Sequence, residues 1–413
     1  MQVKIWINFT FFLNFTTKIK THFQLMMFGF AVFMLLLVIS IQVYLCKKLM
    51  FYIETTRLRK FSKAIPFIFL LFNLPTLLLF INRVVKIQIV TNSPLFIYPF
   101  AIWQGTTIFV FIVIMIAKLI GSLANPVSKK LLHNETKLNE SRRKFLRTAL
   151  VGVSAYAFTG STIGTIARND FRIEKVRIKI QNLPEELKGL TIGLISDVHS
   201  GIFMTEEDMQ PYCEALNSLE PDLILMPGDF ITSDPDEIYP FINVFKNLKS
   251  KYGIFATLGN HEFFPRQPQR IAKIIEENGI RVLRNENEKV EINGEELFII
   301  GIDDLRYGAD LDKAMKNVKN EKVKILLSHK PYDFPRFAQN QIQLTVSGHT
   351  HGGQIVFAKI DDTYITPSAL VSKFVAGHYK LGNSHLYVTR GIGVVGLPLR
   401  LNCPAEITHI TLV

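Results

Sequence analysis

The sequence predicts an α/β layered domain preceded by an N-terminal region of transmembrane helices, and three observations carry that expectation. Long uncharged apolar runs are confined to the first 170 residues. Beyond them, short β-branched and aliphatic runs alternate with amphipathic stretches, the pattern of buried strands and crossover helices. Most of those short runs end on an acidic, amide or imidazole side chain, as strands do when they deliver polar groups to the rim of a sheet. The expected domains are residues 1–170 and 171–413.

Three stretches are apolar and long enough to span a bilayer: about 26–46, 64–82 and 98–121. Lys118 near the end of the third can reach the interface along its own stem. Pro66 and Pro75 in the second are tolerated in a membrane helix when neighbours satisfy the freed backbone groups. An earlier apolar piece, residues 5–16, is too short to cross and is expected in the interface. A fourth stretch, 148–167, follows the basic "SRRKFLR". It reads either as a fourth transmembrane helix or as a segment resembling a twin-arginine export signal. Both readings place the following domain on the same side.

Charge divides as hydropathy does. The net charge is +12, but residues 1–170 hold 20 Lys/Arg against 4 Asp/Glu and residues 171–413 hold 27 against 31. The basic character therefore belongs to the membrane half, and nucleic acid is not an expected partner. Segments 47–63 and 122–147 hold 6 and 7 Lys/Arg, against 3 in 1–25 and 2 in 83–97. The rich segments are expected in the cytoplasm, which puts the C-terminal domain outside it. The expected location is a bacterial cytoplasmic (inner) membrane, multi-pass, with an extracytoplasmic catalytic domain.

In the C-terminal half, strands are expected at 190–196, 222–227, 254–258, 296–302, 323–328, 343–347 and 386–389. Thr205 with Asp208 three residues on predicts a capped helix to about Leu219. Residues 267–278 form an amphipathic run that stops at Gly279. Cys46, Cys213 and Cys403 lack paired spacing and read as free thiols.

The polar groups at the strand ends fall in "LISDVHSG", "LMPGDFIT", "TLGNHEF", "LLSHKP" and "VSGHTHGGQ". Asp197, His199, Asp229, Asn260, His329, His349 and His351 are all oxygen or imidazole donors. Such a set suits two divalent cations of manganese, iron or zinc type rather than a thiolate zinc knot. Asp229, after Gly228, is the natural bridge. Asp197 and His199 serve one ion, Asn260 and His329 the other, and His349 and His351 one each. His261 is the candidate acid, since imidazole titrates near neutrality. Arg390 and Arg400 read either as phosphate contacts or as surface or structural arginines, and Asp303 and Asp304 either orient a ligand histidine or cap a turn.

The order D-x-H, G-D, G-N-H-E, H, G-H-T-H resembles the calcineurin-like metallophosphoesterase superfamily, from about Gly189 to the C-terminus. The tail "LYVTRGIGVVGLPLRLNCPAEITHITL" is similar to a membrane-anchored bacterial branch. The resemblance implies a four-layer sandwich, two mixed sheets flanked by helices. It also implies one metal site of Asp197, His199, Asp229 and His351, and a second of Asp229, Asn260, His329 and His349. "GDFITSDP" departs from the G-D-R-G of protein serine/threonine phosphatases, so a phosphoprotein substrate is not implied. The expected function is hydrolysis of a phosphate ester, a diester or pyrophosphate linked to a lipid or envelope glycan, by a metal-activated water. The rival reading is a membrane sensor or scaffold that uses the fold to bind a ligand without turnover. A transporter is disfavoured by how few charges lie in the spans.

Overall fold

The computed structural model describes residues 29, 31–85, 93–131, 135–361 and 363–413. The chain packs as two units, Met1–Thr159 and Gly160–Val413. Residues 5–16 and 26–28, which fall in expected apolar segments, lie outside the described residues.

The helices of the first half are α1 (Ala31–Glu54), α2 (Ile65–Val85), α3 (Pro94–Leu131) and α4 (Glu135–Ile166). Among the described residues, four segments are long and apolar enough to cross a membrane: Ala31–Glu54, Arg59–Ile81, Leu95–Ser122 and Arg147–Ile166. Their large apolar side chains, Phe33, Leu36, Phe67 and Leu70 among them, face outward. That inversion is stable only in a hydrocarbon surround. Inside the first unit, Gln42 donates to Gln104 (3.0 Å) and Thr107 (2.8 Å), and Gln104 donates to Asn73 (2.9 Å) and Thr76 (2.8 Å). Polar side chains thus join the three helices where apolar contact gives no advantage over lipid. The first helix runs on through Lys47 and Lys48 to Glu54, past the boundary at 46 expected from charge. Its backbone bonding has no reason to stop where lysines can extend toward water.

The second unit runs β1 (Phe171–Ile178), β2 (Thr191–Leu194), α5 (Glu206–Ser218), β3 (Leu223–Met226), α6 (Ile238–Phe245), β4 (Ile254–Ala256), α7 (Asn260–Phe263), α8 (Pro268–Glu276) and β5 (Arg281–Val282). It continues with β6 (Glu286–Ile292), β7 (Glu295–Gly301), α9 (Leu311–Ala314), β8 (Val323–Leu327), α10 (Phe334–Gln339) and β9 (Leu344–Ser347). Last come β10 (Ala358–Ile360), β11 (Thr363–Ile365), β12 (Gly377–Leu381), β13 (Ser384–Val388) and β14 (Ala405–Leu412).

One six-stranded sheet has the order β1-β14-β2-β3-β4-β5 and the other β12-β13-β9-β8-β7-β6. Alternation along the strands builds the layers, because successive side chains point to opposite faces. Leu223 and Leu225 of β3 meet Leu297, Ile299, Ile325 and Leu327 of the other sheet. Ile224 and Met226 pack outward against Tyr212, Phe241 and Ile271 of the helices. On the far side Phe298, Ile300 and Leu326 pack on Leu311 and Phe337. The result is the expected four-layer sandwich of two mixed sheets flanked by helices. A slip of one residue in any central strand would exchange its two faces.

Each expected strand is present within its predicted range or a residue or two of it. Strands β1, β5, β6, β10, β11, β12 and β14 were not expected. β1 (FRIEKVRI) and β6 (ENEKVEI) are edge strands with exposed charged positions, so their apolar signal is halved. The helix after Thr205 has the full capping box: the hydroxyl accepts from the Asp208 amide and the Asp208 carboxylate accepts from the Thr205 amide. All three cysteines are free.

Candidate metal centre

Five loops at the C-terminal ends of parallel-paired strands carry the site. β2, β3 and β4 are parallel neighbours in one sheet, and β8 and β9 in the other. Asp197 and His199 follow β2, Asp229 follows β3, and Asn260 and His261 open α7 after β4. His329 follows β8, and His349 and His351 follow β9. Asp197, His199, Asp229, His349 and His351 hold left-handed φ values of 50° to 71°. Such backbone in non-glycine residues costs on the order of 1–3 kcal/mol each and persists only where its surroundings impose it. Cross-loop bonds do so: the Asp197 amide donates to Gly228 O (3.0 Å), His199 to Asp229 O (3.1 Å), and Gly348 to His329 O (3.0 Å).

Glycines make the close approach sterically feasible. A Cβ on Gly348 would lie 2.0 Å from Asp197 Oδ2, and one on Gly259 2.2 Å from Asp229 Oδ1. Any side chain there would displace a carboxylate.

The structure brings six of the seven expected ligands and His261 into interlocking sets at one end of the sandwich; Asn260 opens α7 beside His261, its Oδ1 buried. Asp197, His199 and His351 form one group able to hold an ion; Asp229, His329 and His349 form another; His199, Asp229 and His261 form a third that links them. His199 Nε2 and His351 Nε2 face each other at 3.1 Å, and His329 Nε2 and His349 Nδ1 at 3.2 Å. One oxygen, Asp229 Oδ2, is approached by His329 Nε2 at 3.0 Å, His199 Nε2 at 3.6 Å and His261 Nε2 at 4.0 Å. His351 Nε2 lies 3.5 Å from Asp197 Oδ1. His329 Nδ1 is bound to the Pro227 carbonyl at 2.8 Å, which leaves Nε2 to face inward.

This donor set fits divalent cations. Asp197 Oδ2, His199 Nδ1, Asn260 Oδ1 and His351 Nδ1 are buried with no hydrogen-bond partner, an arrangement that folded proteins avoid without an ion or water to satisfy it. Burial lowers the pKa of His199 well below its usual value and that of His351 to about 3, so both rings are neutral and carry lone pairs. Burial opposes ionisation of Asp229, but the imidazoles of His329 and His261 overcome it and hold the carboxyl well below its usual range. Asp197, with fewer compensating neighbours, is pushed up by burial to about 6.

Glu262, named in no sequence expectation, is the buried keystone of the Asp229 loop. One oxygen accepts from the amides of Phe230 (2.7 Å) and Ile231 (3.2 Å), the other from Gly259 (2.7 Å) and Asp229 (3.1 Å). Burial and the Asp229 charge push its pKa up to about 8 against those four donors. Its only sequence signal is its place in "GNHEF", next to residues with more obvious chemistry.

For four further residues the structural alternative holds. Arg400 is buried and donates to the carbonyls of Cys403, Arg390, Gly391 and Gly393. Arg390 is paired with Glu174 (2.7 Å) and Glu406 (3.0 Å). Both guanidinium groups are committed to the fold and do not present as phosphate contacts. Asp303 pairs with Arg284 (2.8 Å) and Asp304 with Lys330 (2.7 Å). His329 is oriented by Pro227 instead, a backbone acceptor that no side-chain pattern announces.

With this geometry in view, the comparisons are direct. Residues 190–353 match the family model described as Calcineurin-like phosphoesterase. A Danio rerio "Transmembrane protein with metallophosphoesterase domain" is 30% identical over 255 residues, covering 58% of this chain and 57% of that protein. The protein of that name from Bos taurus is 28% identical over 293 residues, covering 67% and 64%. The chain thus spans less than two thirds of these relatives. An uncharacterized metallophosphoesterase of Bacillus subtilis is 30% identical over 281 residues, covering 66% of this chain and 97% of that one.

Proposed function

Because the chain belongs to the calcineurin-like metallophosphoesterase family, we propose that it is a membrane-anchored phosphoesterase with two divalent cations at the strand-end site. The family implies a metal-dependent phosphoester hydrolase acting on a phosphate ester. In the proposed centre Asp197, His199 and His351 hold one cation, Asn260, His329 and His349 the other, and Asp229 is shared. Bound there, the cations supply an activated water and positive charge against the phosphoryl oxygens. Oxygen and imidazole donors without a thiolate admit manganese, iron or zinc alike.

His261 supplies the proton. Its Nδ1 faces the Thr232 carbonyl and donates to it, so Nε2 is the atom left to give a proton to the leaving oxygen. The ring is fixed between His199 (centroids 4.5 Å) and Phe264 (4.5 Å), and its side chain keeps 14% exposure. Glu262 holds the Asp229 loop in place, and the neutral rings of His199 and His351 need no deprotonation before ligation.

The apolar helices motivate an ester carried by a lipid or an envelope glycan, a diester or pyrophosphate in the proposed reading. The Lys/Arg bias of segments 47–63 and 122–147 supports an extracytoplasmic site on the cytoplasmic (inner) membrane of a bacterial cell. The observation that carries the catalytic reading is the convergence of three imidazoles on Asp229 Oδ2. The full-length chain, purified in detergent and loaded with manganese, should hydrolyse bis(p-nitrophenyl) phosphate. Asp229→Asn should lose bound metal and turnover together. Wild-type protein that retains two ions yet turns over no ester with any divalent metal would establish the sensor or scaffold reading instead.

A further inference from the structure

Just beyond His351 the chain makes an apolar excursion. Residues 357–361 and 363–371 run through β10, β11 and the turn Pro367–Leu370. Leu370 and Val371 are 89% and 75% exposed, Ile360 60%, Ile365 44% and Phe357 38%. Lys359 and Lys373 flank them, their ammonium groups 4.9 Å from the Tyr364 ring and 5.0 Å from the Phe374 ring. Large apolar side chains gathered on one exposed excursion mark an interaction surface, whereas scattered single ones do not.

Two sets of contacts within the second unit say what this surface meets. The first ties it to the candidate metal centre: Thr366 Oγ1 donates to Gly353 O (3.1 Å), two residues from His351, while the Phe357 amide closes the excursion on itself at Ile365 O (2.9 Å). The second ties its root to the end of a candidate membrane span. The Val356 amide donates to Leu401 O (2.9 Å), the Leu401 amide to Gln354 O (2.9 Å), and the Arg400 amide to Gly164 O (2.9 Å) in the last turns of α4. A Cβ on Gly164 would lie 2.6 Å from Arg400 O, so this approach needs glycine. The helix so gripped carries the candidate span Arg147–Ile166.

We propose that residues 357–371 form an apolar lip that enters the headgroup and acyl boundary of the bilayer holding the chain's own spans. The occupant is lipid rather than protein on chemical grounds. Lys359 and Lys373 are balanced in the sequence by Asp361 and Asp362, so the apolar side chains rather than charge suit the segment to the boundary of acyl chains and headgroups. A chain anchored beside that interface meets it at high effective concentration. The lip holds the centre at headgroup depth, so the preferred substrates are phosphate esters carried by membrane lipids. That substrate class rests on the phosphoesterase reading; the docking does not.

The test uses the full-length chain in phosphatidylcholine–phosphatidylglycerol vesicles. In a Cys46→Ser background, where Cys213 and Cys403 are buried, an environment-sensitive fluorophore is attached at Leu370→Cys and, as a control, at Glu276→Cys on α8. The label at 370 should be quenched by shallow doxyl-labelled lipid and shielded from iodide, and the control should show the reverse. Equal access of iodide to both overturns docking. Shielding at 370 without lipid quenching also overturns it, because protein would then be the cover. Leu370→Asp with Val371→Asp should leave hydrolysis of soluble bis(p-nitrophenyl) phosphate unchanged. Hydrolysis of a vesicle-borne alkyl nitrophenyl phosphodiester should fall roughly fivefold or more. Equal loss on both probes overturns the positioning role. If the wild type hydrolyses neither, the phosphoesterase reading fails while the quenching result still decides the lip.

Discussion

Asp229 makes three kinds of contact, two through its carboxylate and one through its backbone amide. Oδ2 gathers His199, His261 and His329, Oδ1 accepts the His261 amide at 2.9 Å, and the residue's own amide is held by Glu262. Glu262→Gln tests the last of these. An amide can accept through only one end, so its NH2 must face backbone N–H groups that the carboxylate now satisfies. Each unmade buried bond costs about 1–3 kcal/mol. The variant should unfold at a distinctly lower temperature and retain manganese more weakly; unchanged values of both would show that the loop holds itself. His261→Ala should keep metal stoichiometry and lose rate chiefly on esters with poor leaving groups, since good ones depart without a proton. Equal loss across a leaving-group series would sink the acid assignment. At this scale the motif residues were legible because their chemistry is rare in combination. The tasks of Glu262, Arg390 and Arg400 were not, because a buried charge is defined by partners distant in the chain.

Elements whose local signals agree were also readable. Helix α5 announces itself through Thr205 and Asp208, and the capping box closes as that spacing predicts. Thr205→Ala removes the cap and should weaken hydrogen-exchange protection in the first turn of α5 by about 1 kcal/mol, roughly fivefold. Manganese-dependent turnover should be untouched; a large activity loss would mean that α5 positions the site. Strand β14 shows the opposite case. AEITHITL lies between β1 and β2, with Glu406 and Thr408 buried on the face shared with the inter-sheet core. Tyr387 donates to Glu406 at 2.6 Å and Arg390 pairs with it. A strand whose interior polar groups are satisfied from elsewhere does not look apolar in isolation.

For the whole molecule, hydropathy separated a lipid-facing half from a water-facing one, and the charge split followed. A reporter active only outside the cytoplasm, fused after residue 413, should be active, and a cytoplasmic reporter at the same point silent. The opposite pattern would invert the proposed topology. The packed units divide at Thr159/Gly160. The last turns of α4 are gripped by the tail through Gly164 and Arg400, a contact between segments far apart in sequence. The sequence by itself determined the class of fold, the donor set and the apolar spans. These follow from period, residue chemistry and length, which are local properties. Tertiary structure alone decided which imidazoles converge on Asp229, which charged groups are spent on the fold, and that the tail grips the last turns of α4 at Gly164. Those depend on through-space proximity, which chain order does not encode locally.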